Sequence, residues 1–141
     1  MHFEPVLMIW DYYDGPRTGL TQFNGRPHYF KCLWDEFKNN YSENYELSPI
    51  DASFLNASSK NWEYYRKWEL NFHNGLVSVE THPENRGLNL EYDKLEDYLK
   101  ERVATIKSLP VTYTPEFRPL PKKEHLPVGV LRELEAYWEQ T

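Results

Sequence analysis

Asn24-Gly25, set between two β-prone runs, constrains this chain more than any other feature. The pair suits the two left-handed positions of a type I′ turn, whose twist matches that of the strands it joins. It predicts a hairpin of Arg17 to Phe23 with Arg26 to Trp34. A two-residue loop fixes the register: Phe23 faces Arg26, Thr21 faces His28, Leu20 faces Tyr29 and Gly19 faces Phe30. Phe30 opposite glycine puts a ring over bare backbone. Pro27 has no N–H to offer a strand on its outer side, which predicts a sheet edge near the start of that arm.

The neighbouring segments extend this sheet. Val6 to Tyr12 is first apolar on both faces and reads as a central strand. Asp14-Gly15-Pro16 is a turn, and Glu43 to Ile50 alternates well enough for a fourth strand. From Ser58 the period becomes helical: Trp62, Tyr65, Trp68 and Phe72 form one stripe, Ser58-Ser59 serve as the cap, and Asn74-Gly75 closes the helix. Leu76 to Thr81 reads as a short β segment. Asn89 caps a second helix with Tyr92, Leu95, Leu99 and Ile106 on its apolar face. Half of the ten prolines, Pro110, Pro115, Pro119, Pro121 and Pro127, fall in a segment read as an extended arm with apolar anchors. Leu131, Leu134 and Trp138 then share one face of a short last helix.

The fold class expected is α+β: an antiparallel meander or half-barrel of about four strands, packed by two helices, with a Pro-rich arm and a C-terminal helix. The organisation is a single domain over 1–141, mainly β at 1–50, mainly helical at 51–109, with the arm at 110–127 and the last helix at 128–140.

Composition narrows the classes of function. The net charge is −6, and acids outnumber bases in every third of the chain, so nothing favours nucleic acid or an anionic membrane. The single cysteine, Cys32, excludes an internal disulfide and a cysteine-based zinc site. Val6 to Trp10 is too short for a secretory core, no run reaches transmembrane length, and the expected setting is the cytoplasm. The sequence carries no phosphate loop, dinucleotide fingerprint or nucleophile elbow, and no cofactor is expected.

Two constellations carry chemistry. Asp11, Asp14 and Asp35 gather at one rim if the first and third strands both end there with Trp-Asp; with His28 they form an alternative metal-assisted hydrolytic site. The plainer reading is structural, with Arg17 pairing Asp14. The second constellation is aromatic. With seven Phe, eleven Tyr and five Trp, much of the apolar material also has a hydrogen-bonding tip. Tyr12, Tyr13 and Trp34, with Asp14, Arg17 and Asp35, make a candidate recognition patch. The plainer expectation is that the arm and last helix cover these rings.

The run Trp10-Asp11-x-Tyr13-Asp14-Gly15-Pro16-Arg17-x-Gly19, followed by Pro27-His28-Tyr29-Phe30, resembles a family of uncharacterised bacterial proteins of similar length that open this way. The resemblance implies a bacterial, cytoplasmic, globular protein and supplies no catalytic residue. The leading expectation is a non-enzymatic binding, adaptor or regulatory protein whose partner is another protein or a second copy of itself. The alternatives are the metal-assisted hydrolase and self-assembly through the arm and last helix.

Overall fold

A computed structural model describes residues 2–120 and 133–141. They fall into two compact units. One runs to Ile50 and resumes at Ile106; the other spans Asp51–Thr105. The first holds six antiparallel strands: β1 Glu4–Tyr12, β2 Pro16–Phe23, β3 Arg26–Asp35, β4 Asn40–Pro49, β5 Tyr113–Pro119 and β6 Leu134–Gln140. They close into a barrel in chain order, β6 returning to β1. The α+β class stands, and the sheet is larger than the four-strand meander expected.

The hairpin register is as the Asn-Gly turn requires: Phe23 pairs Arg26, Thr21 pairs His28, Leu20 pairs Tyr29 and Gly19 pairs Phe30. Asn24 and Gly25 both take positive φ, 53° and 75°. Their N–H groups donate to the buried Glu4 carboxylate at 2.9 and 2.8 Å, so β1 holds the turn from beside it. The edge expected at Pro27 is absent because the barrel closes. The β3–β4 ladder starts one residue later, at His28 opposite Pro49, and the Pro27 carbonyl accepts from Ile50 N–H instead. The missing donor is thereby left outside the ladder.

A six-strand barrel needs sharp coiling. The β1–β2 register slips between Val6 and Met8, between Ile9 and Asp11, and again between Asp11 and Tyr12, while β3–β4 slips between Cys32 and Trp34. Such bulges bend and twist a strand enough to close a small sheet. Gly19 sits where the wall folds tightest. A Cβ there would stand 2.1 Å from the Met8 carbonyl oxygen and 2.9 Å from the Phe30 ring. The core joins Ile9, Phe30, Tyr45, Leu47, Tyr113, Ala136 and Trp138, with the period of two that inward-facing strand positions require.

Two expectations are overturned by β5 and β6. Within the Pro-rich arm, 113–119 is a strand paired to β6 along its whole length. Its prolines are tolerated because β5 meets β4 at one pair only, Tyr45 with Tyr113, leaving few donors needed on that side. The C-terminal helix is β6 over Leu134–Gln140. Leu134, Ala136 and Trp138 alternate as well as Leu131, Leu134 and Trp138 fit a helix, and pairing decides between the two patterns. Parts of both expectations, 121–127 and 128–132, lie outside the described residues.

The second unit holds α1, Ala52–His73, and α2, Leu90–Thr105. The first helix begins before Ser58, at an Asp51 cap whose carboxylate accepts from Phe54 N–H at 2.8 Å; Ser58 is buried within it. Arg102 of α2 donates to the same carboxylate at 2.8 Å. Asn89 caps α2 through Tyr92 N–H, and Asn61 of α1 donates to Glu96 of α2 at 2.8 Å. Trp62, Tyr65, Trp68 and Phe72 run in ring contact along one face. The expected β segment at Leu76–Thr81 is instead a single 3-10 turn, Val79–Thr81. No helix among the described residues is long and apolar enough to cross a membrane.

Candidate functional site

Antiparallel order sends β1 and β3 in the same direction, so their Trp-Asp ends share one rim. There Asp11, Tyr12, Tyr13, Trp34, Asn39, Asn40 and Tyr41 line an open cleft of about 530 Å³. Tyr12 is 49 % exposed, Tyr13 68 % and Trp34 52 %. The aromatic residues of the candidate patch therefore stand in solvent, and the described parts of the arm and helix expected to cover them, 113–119 and 134–140, are strands of the barrel wall. Sequence reasoning missed Tyr41, Asn39 and Asn40, which enter through the β3–β4 turn. It also missed Phe37, fully exposed in that turn. A Phe flanked by Glu36 and Lys38 in a short polar connection was the available signal.

The rings form a connected set. Tyr41 meets Trp34 edge-on at 5.1 Å between centroids and lies 6.3 Å from Tyr13. Arg17 lies beneath them, its guanidinium carbon 4.5 Å from the Tyr41 ring centroid. The same guanidinium donates to the backbone carbonyls of Tyr13 at 2.7 Å and Asp14 at 3.1 Å. It also contacts Cys32 Sγ at 3.5 Å and the Tyr45 hydroxyl at 3.4 Å. Tyr45 in turn donates to the Pro16 carbonyl at 2.6 Å. Arg17 thus ties the β1–β2 turn to β3 and β4 and fixes the backbone that presents Tyr13.

The electrostatics agree with this structural role. Burial holds the Tyr45 phenol protonated well above the usual tyrosine range; Cys32 adds to the effect and Arg17 opposes it. Burial also works against the Arg17 charge, but its hydrogen bond to Cys32 and the attraction of Tyr45 outweigh that cost, and the guanidinium stays charged. The expected Arg17–Asp14 ion pair is not formed: Arg17 reaches the Asp14 carbonyl oxygen instead.

The carboxylates do not converge. Asp11 accepts from the Thr18 hydroxyl at 2.7 Å, and Asp35 accepts from Phe37 and Lys38 N–H, organising the β3–β4 turn. His28 is buried at the other end of β3, edge-on to Phe23, with Nδ1 donating to the Arg26 carbonyl at 2.9 Å. Trp34 lies six positions further along the strand, a span of about 20 Å. Among the described residues no group of three or more His, Cys, Asp or Glu side chains is placed to hold a metal ion. The alternative centre of Asp11, Asp14, Asp35 and His28 is therefore not assembled. No family model, curated protein or solved structure matches this chain.

Proposed function

We propose that this chain is a non-enzymatic binding or adaptor protein acting through protein–protein contacts at the rim of its barrel. One observation carries the reading: the exposed rings of Tyr12, Tyr13 and Trp34 gather on a single open cleft instead of scattering. Aromatic residues with a wet tip and an apolar body dominate the energetics of protein interfaces. Phe37 is fully exposed in the β3–β4 turn that also supplies Asn39 to the lining. Arg17 holds the backbone of the β1–β2 turn at two carbonyls and anchors it to the Cys32, Tyr45 and Tyr41 side chains, so little order has to be gained on binding.

Photo-crosslinking in cells of the source organism tests this. A benzophenone amino acid replacing Tyr13 should give a discrete adduct with one partner, and a control replacement at Leu88 should not. Trp34→Ala combined with Phe37→Ala should abolish the adduct. Adducts of equal yield from both positions, or none at Tyr13, would overturn the proposal. An adduct of twice the chain's mass would identify the partner as a second copy.

A further inference from the structure

Resting on that reading, we infer that the cleft recognises a basic side chain, an arginine carried by the partner's contacting segment. Three independent features select this occupant.

The first is the chemistry of the walls. Faces of tyrosine and tryptophan are electronegative and attract cations, most strongly when water is partly excluded. This ring cluster already accepts one guanidinium, that of Arg17 over Tyr41, while Tyr12, Tyr13 and Trp34 keep about half or more of their surface in solvent. A planar guanidinium stacks on a ring and still directs its edge N–H groups sideways, which a compact, strongly hydrated ammonium cannot do.

The second feature is charge. Of the seven lining residues among those described one, Asp11, is acidic and none is basic. Thr18 donates to one Asp11 oxygen, and among the described residues the other has no hydrogen-bond donor. Asp14 follows Tyr13, and Asp35 follows Trp34 and pairs across the ladder with the lining residue Asn40. The whole chain carries −6. Arg17 offsets only part of this charge, so an acidic segment or a nucleic acid would still meet a surplus of carboxylates, and a wholly apolar segment would desolvate Asp11 with nothing in return.

The third is size and polarity. At about 530 Å³ the open cleft has room for one long side chain. The Asn40 side-chain oxygen already accepts from Tyr41 N–H at 2.8 Å, and the Asn39 amide adds a second polar group to the lining, so N–H groups directed away from Asp11 also meet polar surface.

The experiment uses the full chain and three fluorescein-labelled peptides, (Gly-Arg)4, (Gly-Lys)4 and (Gly-Glu)4, with binding read by anisotropy at low salt. The arginine peptide should bind roughly tenfold more tightly than the glutamate peptide, and several-fold more tightly than the lysine peptide. Asp11→Asn keeps an acceptor for Thr18, so the fold is spared, yet it should weaken the arginine peptide about tenfold. Trp34→Ala, at an exposed position, should weaken it about three- to tenfold. Circular dichroism of each variant confirms folding. In amide and indole NMR spectra the arginine peptide should shift Tyr12, Tyr13 and Trp34 ahead of signals elsewhere.

Equal affinity for the arginine and glutamate peptides, or arginine binding indifferent to both substitutions, would overturn the inference. The two readings fail separately. A crosslink from position 13 that survives Asp11→Asn, without arginine selectivity, leaves the protein-binding proposal standing and removes this one. Arginine selectivity without any crosslinked partner does the reverse.

Discussion

The indole N–H of Trp138 donates to the hydroxyl of Thr21 at 3.2 Å, joining positions 117 residues apart inside the barrel. Thr21 is fully buried and passes its own proton to the Gln22 carbonyl at 3.1 Å. The bond connects β6 to β2, strands that share no ladder.

Thr21→Val should therefore cost more than its small change in shape suggests. Valine fills the space but leaves a buried indole donor without its partner, a loss of about 1–3 kcal/mol. Adding Trp138→Phe removes the stranded donor. The double variant should then be less unstable than the sum of the two singles, by about 1 kcal/mol. Urea denaturation of the four proteins gives the coupling; strict additivity would show that the bond contributes nothing.

Gly19→Ala should be among the most damaging small substitutions in the chain. The added methyl would overlap the Met8 carbonyl oxygen at 2.1 Å, and φ of +157° adds strain. Because the nearest obstacle is backbone, the wall itself must move, and the expected cost is about 3–5 kcal/mol. Phe30→Leu, which clears the ring standing 2.9 Å away, should not rescue it. Recovery of the wild-type urea midpoint in the double variant would instead put the ring first.

Much of this was readable from local chemistry. Asn24-Gly25 dictated the β2–β3 register, Gly19 opposite Phe30 included, because turn geometry and a period of two leave one solution. Asn89 and Asn74-Gly75 marked helix ends through their own hydrogen bonds and positive φ. The rim was legible too, since parallel β1 and β3 must end together. The second half of the barrel was not. Trp138 closes either pattern, Leu134-Ala136-Trp138 at a period of two or Leu131-Leu134-Trp138 at helical spacing, and pairing with β5 along its length and with β1 at its start makes the segment a strand. Tyr113 to Pro119 hid behind its prolines, which are costly in a fully paired strand and cheap in one with a single-pair seam. β5 and β6, which lie within the segments expected to cover the rim aromatics, are wall instead.

Alkaline pH should weaken the fold through Tyr29. Burial, with smaller help from Asp11 and Glu46, pushes its phenol from the usual 10.0 up to about 12. The folded state therefore holds this proton more tightly than the unfolded chain does. Its contribution is complete below pH 10, and it is lost as pH rises from about 10 to about 12, where the unfolded chain alone ionises. Urea midpoints should be flat in this residue up to pH 10 and fall beyond it. Tyr29→Phe should make the fall shallower without removing it, because Tyr65 is also raised to about 12 by burial. An unchanged slope in the variant would show that Tyr29 ionises alike in both states.

The Glu4 carboxylate offers the sharpest test of the barrel's closure, because β1 reaches past β2 to hold the turn that sets the β2–β3 register. Its two oxygens accept from Asn24 N–H at 2.9 Å and Gly25 N–H at 2.8 Å, and the side chain is buried. Glu4→Gln keeps one acceptor and turns the other into a donor facing a donor, so about 1–3 kcal/mol should be lost. Glu4→Ala frees both N–H groups and should cost more. Amide exchange separates this local effect from general destabilisation. The Asn24 and Gly25 protons should lose protection in both variants by a larger factor than the Phe30 amide, whose opening follows global stability. If all three amides lose protection equally, the contact acts on the barrel as a whole and not on its turn. If none does, Glu4 is a bystander, and the Asn-Gly geometry alone keeps the strands in step.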